Sequence, residues 1–351
     1  MMSDDEVETF REQDKLLRAG VTENLSSWLK KLNCGGDEEK KLEYKMRMVK
    51  KLRCSPVAVE VEKANEQHYE VPTGFFKTIL GKRLKYSSCL YTKDTANIDQ
   101  AEEKMMDLVC KRARVDDGQT IMDLGCGWGS MALWICENYP NCKVLCVSNS
   151  QTQRHYIERE AQANNYSDRL HVITADANVF TTSMKFDRII SIEMFEHMKN
   201  YETLMSRVST WLKPHGLLFI QVLCHCKFAY EFKTKSGSDT EWMARNFFSG
   251  GTMASSDLFL YFQKDMYTVD HWQINGKNYT KTLDAWLDKL YDNLDEVKAI
   301  LAANYGDNNV TQHLFNWRMF LLYCSETFGF NDGNDWLLSQ MLFKKRIVSS
   351  L

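Results

Sequence analysis

Two short stretches carry the residue types and spacings best suited to chemistry. In TIMDLGCGWGSMALWICENY, residues 120–139, an apolar run ends at Asp123, and Gly125, Gly127 and Gly129 alternate before a helical pattern begins. In SIEMFEHMKNYE, residues 191–202, Glu193 and Glu196 stand three apart and His197 follows. Glycine has no Cβ, so it takes positive φ and lets a ligand approach the backbone. Between a strand and a helix, such a loop puts that ligand at the carboxyl end of a sheet, beside a helix N-terminus, where nucleotide-type ligands bind. Ser130 stands where a dinucleotide fingerprint needs its third glycine, and the G-K-[ST] of a phosphate loop is absent. The spacing of Glu193 and Glu196 predicts one shared face of a helical turn. His197 adds an imidazole that titrates near neutral pH.

The elements that must position these residues are legible in the middle of the chain. QTIMDL, CKVLCVS, RLHVITA, FDRIISI and GLLFIQVL are short, apolar, β-branched runs. Helical stretches at 130–139, 151–165 and 201–212 alternate with them. Continuous apolarity predicts strands buried on both faces, and the alternation predicts a parallel sheet between helices. Residues 5–70 read as two or three helices broken at Gly35–Gly36, without strands. TANIDQAEEKMMDLVCKRARV reads as a further helix, capped by Thr95 or Asn97. After about residue 225 the alternation stops, aromatic and helical segments follow, and QMLFKKRIV is expected to return to the sheet as a last strand.

Composition narrows the class. The 351 residues are 44% hydrophobic and 26% charged with a net charge of -3, so no global affinity for nucleic acid or an anionic membrane is expected. The acidic, polar start is not a signal peptide, and no apolar run approaches the roughly 18 residues that span a bilayer. Eleven scattered cysteines without C-x-x-C read as reduced thiols, mostly small buried hydrophobes, in a cytoplasmic protein. No metal site is expected. The terminal SSL matches a peroxisomal address only loosely.

DLGCGWG resembles motif I of the class I S-adenosylmethionine-dependent methyltransferases. The resemblance implies a seven-stranded, mostly parallel Rossmann-like sheet with a helical N-terminal cap and a helical insertion. It implies boundaries at 1–85 for the cap, 86–224 for the cofactor-binding core, 225–335 for a substrate-binding insertion and 336–351 for a closing strand. It places Tyr86, Ser87, Asp123, Gly125 and Gly127 against S-adenosylmethionine. Many relatives carry a ribose-binding acid after the second strand, where this chain offers Ser148, Asn149 and Gln153, which can still hydrogen-bond a diol. Asp176 and the Ala177 backbone match the adenine contact.

SIEMFEHMKNYE, KYSSCLYTKDTANIDQAEEKMMDLVCKRA, FFSGGTMASSDLFLYFQ and NWRMFLLYCSETFGF narrow the likeness to the cyclopropane fatty-acid synthases and coclaurine-type N-methyltransferases. The synthases hold bicarbonate with a cysteine, a glutamate, a histidine and a tyrosine. Cys89 and Glu196 match the first two, but Gln221 and Leu287 stand at the others, which argues against that branch and its lipid substrate. The resemblance therefore implies methylation of the amine nitrogen of a small alkaloid, of benzylisoquinoline or phenylalkylamine type, with release of S-adenosylhomocysteine. Glu196 and His197 would attract the ammonium and take its proton, with Glu193 second. Tyr69 and Glu70 are expected as a lid, His225 beside the ligand, and Phe259, Tyr261, Trp317 and Phe320 as an aromatic wall. The sequence is compatible with a homodimer.

Overall fold

The computed structural model describes residues 4–59, 71–238 and 240–346. Tyr69, Glu70 and the terminal SSL lie outside them. The chain opens with α1 (Asp4–Leu32) and α2 (Glu38–Arg53), the latter capped by the Asp37 carboxylate, which accepts from the Lys40 N–H at 3.1 Å. α3 (Thr73–Ile79) and α4 (Ile98–Ala113) follow, and the cap of α4 is Asn97. The core then alternates as its apolar pattern predicts: β1 (Thr120–Leu124), α5 (Ser130–Asn138), β2 (Lys143–Ser148), α6 (Gln151–Ala163), β3 (Leu170–Thr174), β4 (Phe186–Ile192), α7 (Tyr201–Trp211) and β5 (Leu212–His225).

Strands β3, β2, β1, β4 and β5 lie side by side in that order, all parallel. The apolar residues of β1 and β2 are buried almost without interruption, whereas β3, at the edge, alternates buried and exposed positions. β9 (Trp336–Lys345) returns antiparallel against β5, with Gln221 opposite Gln340 in register.

The number of strands differs from expectation. The stretch read as aromatic and helical contains β8 (Met266–Ile274), which pairs with β9 and completes seven contiguous strands. A further pair, β6 (Tyr230–Glu231) and β7 (Thr252–Ser255), joins the end of β5 at Cys224 and His225, making nine. β8 escapes a sequence reading because its Asp270, His271 and Gln273 break the apolar run of a strand that forms the sheet's far edge. The remaining helices are α8 (Glu241–Asn246), α9 (Lys277–Asp292), α10 (Leu294–Tyr305) and α11 (Val310–Gly333). Seven of the eleven cysteines are buried. Among the described residues no helix is long and apolar enough to cross a membrane.

α1 packs along α11, and one buried ion pair fixes it there. Arg318 Nη2 lies 2.7 Å from Asp14 Oδ1, with the two side chains 5% and 8% exposed. Its Nε donates to Tyr291 Oη at 2.9 Å, and the guanidinium lies 3.8 Å from the Phe10 ring centroid. Asp14 also accepts from the Tyr291 hydroxyl. Removing one partner strands a buried charge. Asp14→Ala is expected to cost about 3–5 kcal/mol in chemical denaturation, and the double replacement Asp14→Leu/Arg318→Met to recover most of it.

Candidate active site

The parallel strands β1 to β4 end along one edge, and the residues just beyond them line two cavities. The first is bordered by Tyr86, Ser87, Asp123, Gly125, Gly127, Gln153, Glu193, Glu196 and His197. Ser148, Asn149, Asp176 and Ala177 border the second, together with Gly125, Gly127, Gln153, Glu193 and His197. The shared residues show that the cavities meet at the glycine loop. All ten positions expected around the cofactor thus lie on one wall or the other.

The three glycines of the loop answer different needs. All have positive φ, at 81°, 53° and 78° for Gly125, Gly127 and Gly129. A Cβ on Gly125 would lie 2.5 Å from Met194 Cγ, and one on Gly129 2.7 Å from Ile157 Cγ1, so these two permit close packing inside the protein. A Cβ on Gly127 would meet no protein atom within 4 Å. Gly127 alone of the three opens its missing side chain onto the cavity. The contact at Gly125 also brings Met194, and with it the turn bearing both glutamates, directly against the loop.

That turn differs from expectation. Glu193 is not helical: it follows β4 with φ at 51°, the left-handed region that a non-glycine residue rarely adopts. Its N–H donates to the Gln221 carbonyl at 2.7 Å, and only Phe195–His197 form a turn of 3₁₀-helix. Strain of this kind gathers where a side chain must be aimed. Glu193 Oε1 accepts from the Ser88 N–H at 3.0 Å and from Gln221 Nε2 at 2.8 Å. Glu196 is 2% exposed; its Oε1 accepts from the Leu223 N–H, while Oε2 is buried without a hydrogen-bond partner. Burial, and then the charge of Glu193, pushes the Glu196 carboxyl well above the usual carboxylate range. Burial also raises Glu193. The His197 ring packs on Phe248, with centroids 4.7 Å apart.

Other walls combine structural and ligand-facing duties. Ser148 Oγ accepts from the Ser150 N–H at 3.1 Å and donates to Gln153 Oε1 at 2.7 Å, which ties β2 to the start of α6. Asp176 Oδ1 accepts from the Asn178 N–H at 2.8 Å, so one carboxylate oxygen holds its own turn. Ala58 and Val59 close the second cavity from the N-terminal segment, where Ala58 pairs with Met198.

Four of the expected substrate contacts lie elsewhere. His225 is 2% exposed; its Nδ1 accepts from the Lys227 and Phe228 N–H groups, and burial pushes its pKa down to about 3. It is a neutral cap of the loop after β5. Phe259 is fully buried in the core against Tyr201 and Phe195. Tyr261 packs on that same core, and its carbonyl accepts from Arg53. Trp317 backs the first cavity through Phe247 and Phe320 without lining it, whereas Phe320 does line it. The aromatic wall comes instead from Trp28, Tyr86, Phe248, Tyr279, Phe320 and Phe328. Phe248 had a sequence signal in its SGG neighbours: a Cβ on Gly251 would sit 2.1 Å from the Phe248 ring. Of the bicarbonate positions, Gln221 is bonded to Glu193, and Leu287 is buried among apolar side chains.

A parallel sheet whose strands end at a glycine loop shared by two cavities fits a class I S-adenosylmethionine-dependent methyltransferase, and its relatives place the chain there. The family model for mycolic acid cyclopropane synthetase matches residues 58–336. (S)-Coclaurine N-methyltransferase of Thalictrum flavum subsp. glaucum is 36% identical over 99% of this chain and 93% of that protein. Pavine N-methyltransferase of the same plant is 37% identical over 88% of this chain and 86% of its own length. The crystal structure of coclaurine N-methyltransferase bound to N-methylheliamine and SAH superposes with a TM-score of 0.86 at 35% identity, covering 96% of this chain and all (100%) of that one. The chain belongs to the mycolic acid cyclopropane synthetase family, among its coclaurine-type N-methyltransferases, and its cofactor is S-adenosylmethionine.

The residues present fit that cofactor. Gly127 faces open cavity, and Asp123, buried in the wall, has an Oδ2 with no protein partner. Burial raises the Asp123 carboxyl to about 7, which suits an acid awaiting a donor. Gly127→Leu is therefore expected to abolish S-adenosylhomocysteine binding in calorimetry while lowering stability by only about 1–2 kcal/mol, the cost of positive φ. Gly125→Ala and Gly129→Ala, which collide with protein atoms, are expected to lower Tm more than Gly127→Ala does.

Proposed function

We propose that this chain methylates the amine nitrogen of a small alkaloid, of benzylisoquinoline or phenylalkylamine type, and that Glu196 and His197 handle the amine's charge and proton, with Glu193 second. One observation carries the reading: the two cavities that hold the expected cofactor positions share Glu193 and His197, and Glu196 opens on the first of them, the one with the aromatic wall. S-adenosylmethionine, when bound, supplies the methyl group as an electrophile. The chain's own residues must then gather a cation, orient it and remove its proton. A buried carboxylate pair attracts an ammonium ion, because each charge lowers the cost of desolvating the other. Flat rings such as Tyr86, Tyr279 and Phe248 exclude water and stack on an aryl group, adding cation–π attraction. With its pKa raised by burial, Glu196 is a stronger base than an exposed carboxylate, and its unpartnered Oε2 is free to accept the amine proton. His197 flanks it and offers a second acceptor.

The pairing of Gln221 with Glu193 and the apolar burial of Leu287 support an amine over a lipid alkene as acceptor. A net charge of -3 supports a small-molecule partner over an anionic membrane or nucleic acid, and the free cysteines support a cytoplasmic setting.

Glu196→Gln and His197→Ala are each expected to cut kcat for a tetrahydroisoquinoline amine by about 10²–10⁴-fold with S-adenosylhomocysteine affinity preserved; parent-like turnover in both would overturn the assignment. The rate is expected to rise with pH, since both the free amine and the ionised Glu196 accumulate. Stability runs the other way. A carboxyl whose folded pKa exceeds the unfolded one binds its proton more tightly in the folded chain, so stability falls as pH climbs between the two values. Glu196→Gln is thus expected to raise Tm relative to the parent at pH 8 and leave it nearly unchanged at pH 4.

A further inference from the structure

A row of polar side chains crosses the sheet beneath the site. Arg112, near the end of α4, donates from Nη1 to Gln340 Oε1 at 2.5 Å. Gln340 Nε2 donates to Gln221 Oε1 at 2.6 Å, and Gln221 Nε2 donates to Glu193 Oε1 at 2.8 Å. Both glutamines are fully buried, at 0% exposure, and face each other in register across β9 and β5. Arg112 is partly buried, its guanidinium 4.9 Å from the Trp272 ring centroid. Buried amides are costly among apolar neighbours unless each has its partners.

The direction of this row is not arbitrary. A guanidinium has donors only, so Gln340 must turn its oxygen toward Arg112. Its NH₂ then faces Gln221, whose oxygen must accept. The NH₂ of Gln221 is left for Glu193, where only an acceptor closes the row. Each link polarises the next toward the carboxylate. A neutral Glu193 would have to carry its proton on Oε2, and its Oε1 would then accept from Gln221 Nε2 and the Ser88 N–H more weakly than a carboxylate oxygen does, so both donors favour the ionised form. Glu196 has less support: its Oε1 accepts from the Leu223 N–H alone, and its Oε2 has no partner among the described residues.

We infer that Arg112, Gln340 and Gln221 are positioning residues that hold Glu193 ionised and aimed at the junction of the cavities, so that the two carboxylates carry unlike protonation states and Glu196 is the one that exchanges the proton. This rests on the amine-site reading above. Other titratable groups also face Glu193. Glu196 and His197 come from its own segment, Lys85 and Cys89 from the segment before α4, and Tyr279 from α9. Burial raises the Glu193 carboxyl, and Lys85, the cation among these groups, opposes that rise together with Gln221 and the Ser88 N–H. The residues of the row lie outside both cavities except at Glu193, so they act on the site only through that side chain.

The test compares Arg112→Met, Arg112→Lys, Gln340→Met and Glu193→Gln in the full chain, with tetrahydroisoquinoline as amine. kcat/KM is followed from pH 5.5 to 9, and amine affinity is measured in the S-adenosylhomocysteine complex. Glu193→Gln is expected to weaken amine binding about 10-fold or more. Arg112→Met and Gln340→Met are expected to move the acidic limb of kcat/KM upward by about one pH unit, with Arg112→Lys restoring most of the parent profile. Lower Tm with the limb and the amine affinity unmoved in Arg112→Met would reduce the row to a structural role and overturn the inference. If Gln340→Met fails to fold, Arg112→Met and Arg112→Lys decide alone. Parent-like amine binding by Glu193→Gln would overturn the amine-site reading itself, and the inference with it.

Discussion

Two carboxylates kept from water within one turn of chain are the constraint around which the rest of this structure is arranged. Burying an uncompensated carboxylate costs several kcal/mol, and a neighbouring like charge adds to it. A fold tolerates that only where something else meets the charge. For Glu193 the Ser88 N–H and Gln221 do so; for Glu196 the Leu223 N–H meets one oxygen and nothing among the described residues meets the other. In the proposed reading, the substrate ammonium, a cation with a proton to lose, meets that oxygen. The left-handed backbone at Glu193 and the missing Cβ at Gly125 are local costs that bring this pair against the glycine loop.

The surrounding elements keep water away from that pair. α1 lends Leu25 and Trp28 to the first cavity, although Asp14 and its partner Arg318 on α11 lie 304 positions apart. The buried Asp14–Arg318 pair fixes its position where apolar contact alone would let a helix slide. The segment after α2 reaches the other cavity, where Ala58 bridges to Met198 at the end of the acidic turn. The N-terminal helices and the segments after β5 therefore build the site jointly with the sheet. A charge-handling chemistry at low dielectric requires this enclosure, since water would screen the carboxylates and solvate the amine.

Much of this was legible in the sequence, for identifiable reasons. Strands β1, β2, β4 and β5 announce themselves because burial on both faces demands unbroken apolar runs. The ends of those strands, with their glycines and polar residues, locate the cofactor walls, since a parallel sheet presents ligands at one edge only. β8 was hidden because, at the far edge of the sheet, it carries polar residues among apolar ones. Phe259 and Trp317 read as pocket residues in sequence because an aromatic residue in a core and one in a cavity look alike in one dimension; only packing against Tyr201, or against Phe75 and Phe247, separates them. The helical spacing of Glu193 and Glu196 does bring both to one cavity wall, but not as one helical turn, because a positive φ at glutamate has no sequence signature. The row from Arg112 to Glu193 left no trace either, as Gln221 and Gln340 lie 119 positions apart and meet only through the antiparallel register of β5 and β9.

The central claim, that the buried acids exist to receive a cationic amine, is tested most directly by comparing two ligands of one shape. N,N-dimethyl-tetrahydroisoquinolinium carries a fixed positive charge, and 2,2-dimethyl-tetrahydronaphthalene replaces its nitrogen with carbon. Both would be titrated into the complex with S-adenosylhomocysteine. The cation is expected to bind at least about tenfold tighter, a difference of roughly 1.4 kcal/mol. Equal affinity for the two would contradict the account.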